Sequence, residues 1–130
     1  MRLARVLILV IVALLGVGPF RAEAARDAAG QVSARRIEVL VLEVHGCTIC
    51  SLVRQKIQPL YERSPRAKTA PMRFVDVTTR DETTIGLTSR ISQVPTTVVM
   101  VDGREVDRIS GYWAPETFMQ LLSRMLDAAE

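Results

Sequence analysis

The chain is sparing with the residues that most often announce chemistry: its 130 residues include two cysteines, one histidine and one tryptophan, and aromatics make up 5%. Two cysteines leave room for a single internal disulfide, so this is no disulfide-rich scaffold. There is no internal repeat and no low-complexity segment, and hydrophobic residues at 48% with charged residues at 24% are ordinary globular composition. The length suits one domain with a real core.

No apolar run is long enough to cross a membrane comfortably. Val6 to Val17 is apolar, follows Arg2 and Arg5, and ends at Gly18-Pro19, with Ala22-Glu23-Ala24 close behind. A spanning helix needs about 20 apolar residues, so this run has the layout of a secretory h-region. The expectation is a signal peptide over 1–24, a linker over 25–36 and a single domain over 37–130, in an exported protein. An uncleaved segment would instead anchor the chain in the membrane.

The formal charge of +3 is concentrated in that leader. Cleavage takes away three basic residues and one acidic residue, leaving 14 against 13. A nearly neutral chain offers phosphates no basic surface, which excludes nucleic acid as a partner. Export also sets the redox context, because disulfides form and persist beyond the cytoplasmic membrane.

Ile37 to Val44 is β-branched and nearly continuous in apolar residues, as expected of a central strand covered on both faces. Ile49, Leu52, Val53, Ile57, Leu60 and Tyr61 then recur at helical spacing, predicting a helix to about Arg63 that Pro59 must kink or close. Met72 to Val77 reads as a second strand, parallel to the first because a helical crossover joins them. Asp81 to Ile91 is less regular and is read as a short helix despite Gly86. Thr96 to Val101 and Arg104 to Ser110 flank Asp102-Gly103, a strong hairpin signal. Pro115 to about Ala128 carries the stripe of a last helix. The fold class is α/β, a mixed central sheet flanked by helices.

His45-Gly46-Cys47-Thr48-Ile49-Cys50 puts two thiols where a strand turns into a helix. Cys47 at the helix start faces unpaired backbone N-H groups, which favour the thiolate, while Cys50 lies one turn further in. Cys47 would attack a disulfide and Cys50 would resolve the mixed disulfide. The helix dipole supplies only about 0.3 to 1 kcal/mol, less than one pKa unit. Further acidification of Cys47 would need direct N-H bonds from Ile49 or Cys50, or a protonated His45. The same pair would also serve a soft-metal carrier binding copper through Cys47 and Cys50, or a merely structural disulfide, although a loop this short constrains little unfolded-state entropy. No resident cofactor is expected.

Val94-Pro95-Thr96 at the entrance to the third strand, with Gly103 and Gly111 beyond it, resembles the thioredoxin family over Ile37 to about Leu126. The resemblance implies the thioredoxin-like fold, a cis-proline at Pro95 facing the cysteines, and a substrate-binding strip of Val94, Pro95 and Gly111. Gly46 stands where thioredoxins carry tryptophan, Thr48-Ile49 replaces Gly-Pro, and Val41 takes the place of the buried acid. Glu43, two residues nearer the motif, is a candidate substitute as proton acceptor for Cys50.

Glu43 to Cys50, Pro59-Leu60-Tyr61, Ala70 to Asp76 and Gly103 to Tyr112 look like the periplasmic thioredoxins of bacterial sulfur-oxidation (Sox) systems. This implies a reductant that keeps exported protein thiols usable, with a Sox sulfur-carrier subunit as one such client. A membrane thiol transporter would be its electron donor.

Overall fold

The computed structural model describes residues 34–130. The signal peptide expected over 1–24 and most of the expected linker lie outside them. Four strands form one sheet in the order β2-β1-β3-β4: β1 (Ile37–Glu43), β2 (Met72–Asp76), β3 (Thr96–Val101) and β4 (Arg104–Ser110). β1 pairs with β2 in parallel and with β3 antiparallel, and β3 with β4 antiparallel, so the sheet is mixed as expected. The turn between β3 and β4 has positive φ at both Asp102 and Gly103, which matches the right-handed twist of the strands it joins.

Between β1 and β2 the chain coils continuously as α1 (Thr48–Leu52), a π-helical turn (Val53–Ile57) and α2 (Gln58–Glu62). The cause of the widened turn is Pro59. Its ring carries no N-H and crowds the carbonyl four residues back, and one extra residue per turn relieves that crowding without ending the helix. Val53, Ile57 and Tyr61, four residues apart, still reach the same face and are almost fully buried.

Alternation along β1 splits the core in two. Val39 and Val41 point toward the helices, packing with Val53, Ile57, Tyr61 and with Phe118, Leu122 and Leu126 of α3 (Pro115–Ala129). Leu40 and Leu42 point the other way, onto Val75, Val98 and Met100. That second face is covered by Val77, Ile85, Leu87 and Ile91.

Here one expectation is corrected. The helix read over Asp81 to Ile91 is only a 3-10 turn at Glu82–Thr84 followed by irregular chain. Gly86 is the reason: its φ is +86°, and a Cβ there would lie 2.1 Å from the Gly103 carbonyl oxygen. The segment must press its backbone against the β3-β4 turn, a geometry no α-helix can adopt. Among the described residues no helix is long and apolar enough to cross a membrane.

Candidate active site

β1 ends at Glu43, and Val44 to Gly46 turn the chain toward α1. Gly46 has φ +74°, and Cys47 N donates to the Val44 carbonyl at 3.2 Å, closing the turn. Cys47 is the N-cap of α1. Its Sγ accepts from Cys50 N at 3.0 Å, and its carbonyl accepts from Ser51 N at 3.2 Å. Of the Ile49 and Cys50 amides considered as donors to the Cys47 sulfur, the Cys50 N-H is the one that reaches it.

Cys47 and Cys50 are joined, with an S–S distance of 2.05 Å. Their accessibility differs sharply: Cys47 is partly exposed, while Cys50 is 1% exposed and packed into the helix. An external thiol or disulfide can meet only Cys47. Ile49, between them, is 50% exposed and leaves an apolar surface beside the pair.

Cys47 opens into a cleft of about 430 Å³ lined by Glu43, His45, Ser51, Arg54 and Asp76 with the intervening backbone. Glu43 does not face open water, since its side chain is 15% exposed and accepts from Arg54 through Nε (3.3 Å) and Nη2. Arg54 also stacks on Phe74, 3.8 Å from its ring centroid, a cation-π contact that holds the guanidinium flat against β2. Cys50 is not part of this lining. Asp76, in register with Glu43, accepts from the hydroxyl and the N-H of Thr78, which hold its carboxyl below the usual 3.8, with His45 contributing from across the cleft. His45 itself is exposed at the mouth.

Val41 fills its strand position as a fully buried apolar residue. The Val94-Pro95 bond is cis. Pro95 is tied to the end of β4, its carbonyl accepting from Gly111 N at 2.8 Å, and Thr96 Oγ1 donates to Gln93 O at 2.7 Å. Gly111, with φ +80°, lies against the Gln93 side chain.

Arg54 was not among the residues singled out from the sequence, yet it shares the cleft with Cys47. The signal was there in the spacing: Cys47, Ser51 and Arg54 follow at four and three residues on one helical face. Trp113, 47% exposed with its Nε1 donating to Ser110 O at 3.1 Å, does not line this cleft.

No protein-family model matches the chain, and no curated protein matches it in sequence. Solved structures do resemble it. The periplasmic thioredoxin SoxS from Paracoccus pantotrophus, in its reduced form, is 26% identical with a TM-score of 0.66, covering 72% of this chain and 99% of its own. The Fasciola hepatica thioredoxin is 24% identical with a TM-score of 0.54, covering 69% of this chain and 81% of its own. The Malassezia sympodialis thioredoxin, at 17% identity and a TM-score of 0.56 over 69% of this chain and 77% of its own, shares the fold.

Proposed function

Given that the chain is a thiol-disulfide oxidoreductase of thioredoxin-like fold, we propose that it works in the periplasm as a reductant of exported protein disulfides. The observation that carries the exchange chemistry is the asymmetry of the pair, one cysteine partly exposed at a helix cap and the other buried one turn in, and the reductive direction is supported by the likeness to a periplasmic thioredoxin. Cys47 as thiolate attacks a client disulfide, one client sulfur leaves as a thiolate, and a mixed disulfide forms. Cys50 then attacks Cys47 Sγ, releasing the second client thiolate and leaving Cys47-Cys50 oxidised by two electrons. A membrane thiol transporter returns those electrons, and a Sox sulfur-carrier subunit is one client.

Val94, Pro95 and Gly111 receive the extended client strand beside Cys47, and Glu43 and His45 tune the thiol. Support for the periplasmic setting comes from the leader-like 1–24 and from the likeness to a periplasmic thioredoxin. A soft-metal carrier would use the same two sulfurs, and only those sulfurs favour it.

The test is the Cys47-Cys50 reduction potential against a glutathione series, with N-terminal sequencing of envelope material. A potential near or below about −270 mV fits a reductant, and one near about −120 mV marks an oxidant. A mature terminus at Ala25 fits export with cleavage, and an intact Met1 means an anchor.

A further inference from the structure

Residues 86 to 95 run beside β4 in the same direction, with no regular structure of their own, and end at Val94-Pro95. What holds them is a buried charge. Glu105 of β4 has a side chain 2% exposed, and its Oε2 accepts from Thr88 N at 2.7 Å, from Thr88 Oγ1 at 3.0 Å and from Arg108 Nη2 at 2.6 Å. Arg108 Nε donates to the other carboxylate oxygen. The same guanidinium reaches back to the loop, donating to Ser89 O at 3.1 Å and Arg90 O at 3.4 Å, while Glu105 N donates to Gly86 O at 3.0 Å. β4 thus grips the loop at Gly86, Thr88, Ser89 and Arg90, and again at Pro95 through Gly111.

We propose that Glu105 and Arg108 are positioning residues that set the place of Val94 and Pro95 for the incoming client; the inference rests on the reading of that strip as the client-binding site. Burying an ion pair is a poor way to gain stability, because desolvation offsets the attraction and an apolar pair of similar volume commonly does as well or better. A planar, five-donor guanidinium locked by a carboxylate does what an apolar pair cannot, fixing loop carbonyls in direction as well as distance. The clamped carbonyls lie only a few residues before Val94, with Ile91 packed into the second core between them.

The test compares wild type with Glu105→Gln, Arg108→Lys and Thr88→Val in two reductions driven by dithiothreitol. Insulin, a protein disulfide, must lie along the strip, whereas hydroxyethyl disulfide needs only Cys47. For Glu105→Gln and Arg108→Lys the expected result is a KM for insulin raised about three- to tenfold, below the hundredfold that a misplacement of about 1 Å can cost. The kcat and the hydroxyethyl disulfide rate stay within about twofold, and amide exchange quickens over 88–93. Thr88→Val, which loses one hydroxyl bond, shifts the KM in the same direction by less, and it carries the test should Glu105→Gln not fold. Unchanged insulin KM in folded variants, or equal loss on both substrates, overturns the proposal. If wild type reduces hydroxyethyl disulfide but not insulin, the client-strip reading fails first and takes the positioning role with it.

Discussion

Glu43 and Arg54 are ion-paired on the wall of the cleft into which Cys47 opens, one at the end of a strand and the other two turns along the helix that Cys47 caps. An ion-paired carboxylate opposes a nearby negative charge less than a bare one does. Arg54→Gln should therefore raise the pH midpoint for alkylation of Cys47 by about half a unit to one unit, since an unpaired negative charge nearby disfavours a second one. The double variant with Glu43→Gln should return it toward wild type. A midpoint unchanged in Arg54→Gln would show that this pair does not act on Cys47.

Tyr61 anchors the helical layer from inside the core, its hydroxyl donating to Ala70 O at 2.5 Å. Burial pushes its pKa from 10.0 up to about 12, with Arg66 pulling the other way. The fold prefers the neutral phenol, so this contribution is complete below pH 10 and is lost as pH rises through about 12. Tyr61→Phe should cost about 1–3 kcal/mol in urea unfolding, by leaving the buried Ala70 carbonyl unpaired. Disulfide exchange should be unaffected, as Tyr61 is absent from the cleft.

Glu105 behaves oppositely with pH. Burial raises its carboxyl, but the bonds from Arg108 and Thr88 outweigh that and hold it below the usual 4.5. A lowered carboxylate pKa stabilises the fold fully above the ordinary value and ceases to do so as pH falls through the native one. Stability of wild type should thus drop on acidification below about pH 4.5, more steeply than that of Glu105→Gln. Parallel pH profiles for the two proteins would contradict this.

Two glycines separate a strain cost from a clash. At Gly46 a Cβ would meet nothing within 4 Å, so Gly46→Ala should cost only the left-handed backbone, about 1–2 kcal/mol. At Gly86 the same backbone cost is joined by the 2.1 Å approach to Gly103 O, so Gly86→Ala should destabilise distinctly more. Urea midpoints of the two variants check the order.

What was legible in the sequence was whatever neighbours along the chain determine. Asp102-Gly103 specifies its own turn, and Thr96–Val101 and Arg104–Ser110 emerge with the bounds read from their β-branched runs. Val53, Ile57 and Tyr61 declare a buried helical face, and Pro59 a disturbance in it, realised as the π-helical turn. The chain over 81–95 was not legible, because its form depends on partners far off: Gly103 against Gly86, and Glu105 and Arg108 against Thr88, Ser89 and Arg90. The cysteine pair and Pro95 were visible as motifs. The ion pair of Glu43 with Arg54 was not, since nothing along the chain says that a strand-end acid and a helical arginine share one cleft.

Attack by Cys47 and resolution by Cys50 are read out by covalent trapping of clients in the native host. Cys50→Ser should accumulate Cys47 in a mixed disulfide with a client protein, because attack proceeds and resolution cannot. The adduct should appear on a non-reducing gel, vanish with reductant and yield its partner to mass spectrometry, while Cys47→Ser should trap almost nothing. Identical patterns from both variants and wild type would contradict the exchange mechanism assigned to Cys47 and Cys50.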